Sequence, residues 1–290
     1  MGTIKKAVIP AAGLGTRILP ASKAVPKEML PIVDKPAIQH IVEEAAAAGI
    51  TDILIITNRG KNVIEDHFDH SFELETNLRE KQKHEMLKTV EAVSHIANVY
   101  FLRQGETGGL GHAVLKAKSF VGDDPFAVLY GDDVIIGDVP AIGELAEVYD
   151  QYGLGVVGVK EVPRADVSKY CSLKVDKIND KIMRVSDMIE KPKDDEIMSC
   201  YSILGRCILP AEIFTILENT ERGAGGELQL TDAMKTLAIK KGMMGIDFSG
   251  TRYDMGNKFS YMQANVEMAL KSPEFGNEFR NYIKELAKTL

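Results

Sequence analysis

The chain has 290 residues, 45% of them hydrophobic, which fits one large α/β domain or one domain with a sizeable insertion. A net charge of -7 argues against a nucleic-acid or anionic-membrane surface, although a nucleotide needs only local cations. Three cysteines, Cys171, Cys200 and Cys207, show neither metal-ligand nor redox spacing and suit a reducing compartment. Residues 7–16 are too short and too broken by glycine for a signal-peptide core. Lys6 stands where a myristoylation signal has Ser or Thr, and no stretch approaches a transmembrane span. The expected compartment is the cytoplasm.

The apolar run 7–10 reads as the end of a buried strand. Gly13 and Gly15 follow, where the backbone must turn or approach a ligand closely. Arg17, Lys23 and Lys27 then bring three cations within eleven residues. A strand, a glycine turn and spaced cations make a polyphosphate cradle: backbone N–H groups for the oxygens, cations for the charge. Thr16 follows Gly15 where a Walker A loop requires lysine. Ile18 takes the place of the third glycine of a dinucleotide fingerprint, which weighs against a nicotinamide-dependent oxidoreductase.

GLGTR with PKEMLP after it resembles the bacterial UTP–glucose-1-phosphate uridylyltransferases, within the sugar-nucleotide pyrophosphorylases. The resemblance runs from about residue 5 to about residue 270. It implies an α/β, Rossmann-like nucleotidyltransferase fold, with a mostly parallel central sheet flanked by helices and a smaller antiparallel extension. The catalytic domain is expected over residues 1–272, its sugar-binding part over about 160–257, followed by a helical segment at 273–290. By the resemblance, Ala11, Ala12, Gly13, Leu14, Gly15 and Thr16 wrap the nucleoside triphosphate, with Arg17 and Lys27 as its cations. The implied reaction is attack of the glucose 1-phosphate oxygen on the α-phosphorus of UTP, assisted by Mg²⁺, with pyrophosphate leaving. The attacking group is already a phosphate dianion, so no protein nucleophile is required. Two alternatives share the fold: a dTTP-using thymidylyltransferase and a catalytically silent regulatory paralogue.

Residues 36–48 read as a helix, rich in alanine and followed by Gly49. The run DILIIT, 52–57, reads as a buried parallel strand, completing a right-handed βαβ unit. Residues 73–93 lack glycine and proline and read as one exposed helix with Leu74, Leu78 and Leu87 towards the body. After a strand at 99–102, the loop RQGETGGLGHA suggests close backbone approach to a ligand. Gln104 there could read a base edge through its amide. The resemblance puts Gln104 and Gly109 against the pyrimidine. His112 reads as a packing or capping residue of the next helix.

A strand at 126–130 ends in Gly131-Asp132-Asp133, and a carboxylate at a strand's C-terminal end beside phosphates suits Mg²⁺. Alternation lets only one aspartate point straight at a ligand; the resemblance selects Asp132, with Asp133 as the fallback. Asp138 reads as the cap of a helix at 139–149, and 153–159 as a strand. Segments 171–175 and 182–190 read as antiparallel strands ending in Glu190-Lys191-Pro192. On composition Glu190 and Lys191 are a surface ion pair. The resemblance instead assigns Glu190 to the sugar hydroxyls and Lys191 to the sugar phosphate.

Two family positions depart here. Cys171 stands where a glycine is expected against the sugar, and Cys207 where a tyrosine follows Gly205-Arg206, a pair placed near the sugar. After a strand at 202–209 and a helix at 210–217, Glu227 reads as a scaffold residue. Asp254, two residues before Gly256, resembles the family's aspartate-x-glycine segment, which implies that it meets Asp132 across the metal, and Ser260 replaces a frequent glycine. The terminal helix at 278–290 is amphipathic through Phe279, Ile283, Leu286 and Leu290, serving core packing or a subunit contact. A homo-oligomer, dimer or tetramer, is the expected assembly.

Overall fold

The computed structural model describes residues 2–290. Its strands are β1 (Lys6–Pro10), β2 (Pro31–Ile32), β3 (Lys35–Pro36), β4 (Asp52–Thr57), β5 (Asn98–Arg103), β6 (Phe126–Leu129), β7 (Asp133–Ile136), β8 (Val156–Glu161), β9 (Cys171–Lys177), β10 (Ile182–Glu190), β11 (Tyr201–Leu209), β12 (Met243–Asp247) and β13 (Thr251–Asp254). Its α-helices are α1 (Ala37–Ala47), α2 (Asn62–Phe68), α3 (Phe72–Glu80), α4 (His84–Ser94), α5 (Leu110–Lys116), α6 (Lys118–Val121), α7 (Ala141–Tyr152), α8 (Glu212–Glu218), α9 (Leu230–Lys241), α10 (Lys258–Lys271) and α11 (Gly276–Ala287).

Nine strands form the central sheet in the order β5-β4-β1-β6-β11-β8-β12-β10-β9. Seven run in one direction; β11 and β10 run against them. The apolar runs explain the centre. In β4, Ile53 and Ile55 enter one helical layer while Leu54 and Ile56 enter the other. A strand without polar alternation is stable only when covered on both faces, and each such side chain contributes about 1.5–3 kcal/mol by burial. From β1 the chain crosses to β4 and β5 on one side and then returns to β6 on the other. This reversal opens a crevice beyond the C-terminal ends of β1 and β6, where open α/β sheets hold ligands. A separate two-stranded ribbon, β7 with β13, pairs Asp254 opposite Asp133 at the rim of that crevice.

Several expected elements take another form. Residues 73–93 are two helices, not one. Lys83 N–H bonds Leu78 C=O and Gln82 N–H bonds Arg79 C=O, closing α3 in a Schellman motif with Gln82 at φ 54. A glutamine in the place usually held by glycine hid the break. Leu78 and Leu87 are buried, but Leu74 is 46% exposed. Asp138 caps nothing: it lies between β7 and α7, which starts at Ala141 with Pro140 as its N-cap residue and no side-chain cap. Its first turn is served from α1, where Glu44 accepts the Ile142 N–H at 3.0 Å. Residues 153–155 precede strand β8, and Gly153 closes α7 at φ 64. Helix α2 and strand β12 were not foreseen. The antiparallel pair β9–β10 forms as expected. Helix α11 packs on α10, with Phe279 and Ile283 half-buried and Tyr282 and Leu286 exposed. Among the described residues, no helix is long and apolar enough to cross a membrane.

Candidate active site

Two cavities open along the crevice, and Asp132 lines both. The first, about 440 Å³, is lined by Ala12, Gly13, Leu14, Thr16, Lys27, Gln104, Gly109 and Asp132. The second, about 600 Å³, is lined by Arg17, Tyr130, Asp132, Cys171, Glu190, Lys191, Thr231, Arg252 and Asp254. Most sequence-predicted nucleotide residues line the first space and most sugar residues the adjoining second; Arg17, expected at the triphosphate, lines the second. Three of the predicted residues line neither. Ala11 is buried beneath the loop, and Gly15 shapes it from behind at φ 68. Gly205, at φ 74, backs Asp133: a Cβ there would lie 2.6 Å from the Asp133 Cβ.

The first cavity has its cation from the short turn at Lys27–Met29. Lys27 Nζ lies 2.5 Å from Asp132 Oδ2. Burial opposes the Lys27 charge, but Asp132 and Glu28 outweigh it and hold the ammonium above its usual pKa. Burial would likewise raise Asp132; Lys27, then Arg17 and Arg252, hold it below the usual carboxylate range. Gln104 Nε2 donates to Gly109 C=O at 3.1 Å and sits 3.0 Å from His112 Nδ1. His112 thus orients the amide and leaves its oxygen towards the cavity. Gly109 has φ 92, and a Cβ on it would lie 2.7 Å from the Glu227 Cβ. Glu227's neighbour Leu228 straps the glycine loop, exchanging backbone bonds with Gly108 and Gly111. The scaffold role expected of Glu227 thus falls to the backbone of its neighbour Leu228.

Asp132 and Asp254 converge, as expected, although far apart in sequence. Met255 N–H donates to Asp132 C=O at 2.8 Å, joining the two segments. Arg17 spans both carboxylates, with Nη1 3.2 Å from Asp254 Oδ2 and Nη2 3.6 Å from Asp132 Oδ2. Ser260, in place of a glycine, accepts the Asp254 N–H at 2.8 Å, so that departure has a structural use. Asp133, the fallback, lines the second cavity alone, whereas Asp132 lines both. Asp133 is 4% exposed and pairs with Arg252 Nη2 at 2.6 Å; burial, with Asp132 and Asp254 beside it, pushes it up to about 6 against the pull of Arg252.

In the second cavity Glu190 accepts the Thr231 hydroxyl at 2.9 Å, and no ion pair joins it to Lys191 among the described residues. Burial raises its pKa, opposed by Thr231 and Lys191. Lys191 sits at φ 47, its N–H bonded to Tyr170 C=O at 2.7 Å, with the side chain exposed. Cys171 is 3% exposed; its Sγ accepts the Ile203 N–H at 3.2 Å, and burial pushes the thiol up to about 12. The sulfur is therefore spent within the sheet. Arg206 is remote from the sugar space. It is fully buried against Glu44, with Nη2 2.5 Å from Oε2. Thr231, Tyr130 and Arg252 were missed. Arg252 had a legible signal, because it lies two residues before Asp254 and so shares its strand face.

A crevice at a topological switch point, with a glycine loop and lysine on one side, a carboxylate pair in the middle and a lysine on the other, is the arrangement of a nucleotidyltransferase. The nucleotidyl transferase family matches residues 6–271, and the chain belongs to that family. It is 51% identical to the UTP–glucose-1-phosphate uridylyltransferase YngB of Bacillus subtilis (strain 168), over 98% of this chain and 96% of that protein. Among solved structures it resembles the UTP-bound UGPase from Acinetobacter baumannii, at 39% identity and a TM-score of 0.90, covering 98% of this chain and 99% of that one. It also resembles a UDP-glucose pyrophosphorylase complexed with UDP-glucose, at 38% identity and a TM-score of 0.85, covering 93% and 100%.

Proposed function

We propose that the chain transfers the uridylyl group of UTP to glucose 1-phosphate, giving UDP-glucose and pyrophosphate. The observation that carries this reading is the position of Asp132, shared by a cavity with a triphosphate cradle and a cavity with a sugar-phosphate lysine. The names of the relatives supply the substrates. The first task of the protein is to align two polyanions that repel each other. Lys27 and Arg17 hold the triphosphate. Lys191 holds the attacking phosphate, and Glu190, fixed by Thr231, accepts from sugar hydroxyls. Gln104 and the Gly109 backbone hold the base. The phosphate oxygen of the sugar attacks the α-phosphorus in line, and the P–O bond to pyrophosphate breaks. The same cations meet the charge that builds on the transferred group, where preorganised contacts act most strongly.

The donor set fits a hard divalent cation. Asp132 and Asp254 offer oxygens to one point, and the Arg17 guanidinium that spans them supports a cation position there. Among the described residues no group of three or more carboxylate, imidazole or thiol side chains forms a cage, so phosphate oxygens and water would complete an Mg²⁺ shell. Bound Mg²⁺ would supply charge neutralisation on the phosphates. The free cysteines suit the cytoplasm, the compartment we assign, and the apolar edge of α11 supports assembly with a second copy of the chain. The test is a matrix of nucleoside triphosphates against sugar 1-phosphates, read as pyrophosphate release with Mg²⁺. UTP with glucose 1-phosphate should give the largest kcat/KM. A preference for dTTP, or no release with any pair, would reject the reading.

A further inference from the structure

The backbone of the nucleotide loop is asymmetric. Among the described residues, none of the N–H groups from Ala12 to Arg17 donates to another protein group. Several of the carbonyls around them are held from behind by other parts of the chain. Pro10 C=O accepts Gly131 N–H at 3.2 Å, and Gly15 C=O accepts the Ser22 hydroxyl at 2.6 Å. Ala11 C=O accepts Lys61 Nζ at 2.5 Å, and Ala12 C=O accepts Asn58 Nδ2. Asn58 and Lys61 both come from the turn between β4 and α2, which lines neither cavity.

We propose that Asn58 and Lys61 are positioning residues of the nucleotide site, acting through the loop backbone; this rests on the UTP reading above. The physical link is the planar trans peptide, in which C=O and N–H point to opposite sides. Anchoring the Ala11 carbonyl behind the loop therefore aims the Ala12 N–H forward. Anchoring the Ala12 carbonyl aims the Gly13 N–H in the same way. A reversed peptide would turn a carbonyl oxygen towards the phosphates, and Gly13 makes such a reversal cheap at the Ala12–Gly13 peptide. Lys61 has a second hold. It is 6% exposed and donates to both oxygens of Glu28 at 2.8 and 2.9 Å, beside Lys27. One buried ammonium thus ties the loop carbonyl to the turn that presents the catalytic lysine. Its pair with Glu28 is expensive to bury, so removing one partner alone would leave an uncompensated charge.

The test uses Asn58→Ala and, so that no charge is orphaned, the double variant Lys61→Met with Glu28→Gln. Each is titrated with UTP and with pyrophosphate in Mg²⁺, then examined by steady-state kinetics in both substrates and by thermal unfolding. Asn58→Ala should weaken UTP and pyrophosphate about tenfold and leave the KM for glucose 1-phosphate within twofold. The double variant should shift the same way by a larger factor. Asn58→Gln, which keeps a donor, should recover part of the affinity. A merely structural role would lower the melting temperature and move both KM values together, and that outcome would overturn the proposal. So would unchanged pyrophosphate binding in Asn58→Ala and the double variant. Failure of the wild-type protein to bind UTP while binding pyrophosphate would instead reject the nucleotide assignment, with the pyrophosphate comparison still deciding the loop.

Discussion

Lys27 and Lys191 line different cavities, so removing each should damage a different substrate. Lys27 is 13% exposed and 2.5 Å from Asp132, so Lys27→Ala deletes a charge-assisted phosphate contact and strips Asp132 of its nearest cation. A hydrogen bond to a charged group contributes about 1.5–3 kcal/mol, and breaking a buried pair costs about 3–5 kcal/mol. Arg17 remains, 3.6 Å from the same carboxylate oxygen, and offsets part of the loss. The expected deficit is about 3 kcal/mol, roughly a hundredfold in kcat/KM for UTP. Lys191 is solvent-exposed, so screening weakens its contact. Lys191→Ala should cost about 1.5–2 kcal/mol, roughly ten- to thirtyfold, and chiefly in kcat/KM for glucose 1-phosphate. The assay is titration of each variant with UTP alone and with UDP-glucose, followed by kinetics varying each substrate. Poor UTP binding by Lys191→Ala with normal sugar-phosphate kinetics would refute the division. So would turnover within about threefold of wild type for both variants, the behaviour of solvated surface cations.

Asp132→Asn should keep the fold and most UTP affinity but lower turnover at least about a hundredfold, measured at saturating Mg²⁺; a full effect at Asp133→Asn with none at Asp132 would transfer the role. Cys171→Gly should lower stability by about 1–3 kcal/mol in urea denaturation, because the Ile203 N–H loses its acceptor and the sheet gains a void. Its KM for glucose 1-phosphate should stay within about threefold, and a larger change would mean the sulfur does reach the sugar. His40, held down to about 4 by burial, gives a pH test. Its folded pKa lies below the unfolded one, so on acidification the unfolded state takes the proton first. Stability should fall from about pH 6.5 down to about pH 4. His40→Gln should flatten that limb by about 2–3 kcal/mol, and denaturation curves at pH 7 and 4.5 that change equally in both proteins would exclude the histidine.

The sequence by itself determined the parts whose physics is local. Runs such as DILIIT carry their double-sided burial in their composition, and the strand–glycine–cation order at 7–27 announces an anion cradle. Motif resemblance carried the substrate class. Where local signals were ambiguous, only the fold decided. Nothing in 73–93 distinguishes Gln82 as a helix terminator, because its positive φ is imposed by the bonds of the folded hairpin. Asp138 has capping chemistry, but α7 is capped by Glu44 from another helix, which no local window contains. Gly205 looked like a sugar contact, yet bulge geometry turns it to a structural task, and Cys171, which lines the sugar-side cavity, also spends its sulfur on a backbone N–H of the sheet. Only the fold distinguishes Asp132, which lines both cavities, from Asp133, which lines one and has Arg252 of β13 against it. Asn58 and Lys61 were invisible for the same reason. Their partners are backbone carbonyls, which every residue has, and only the crossing of β4 beside β1 selects the two they hold.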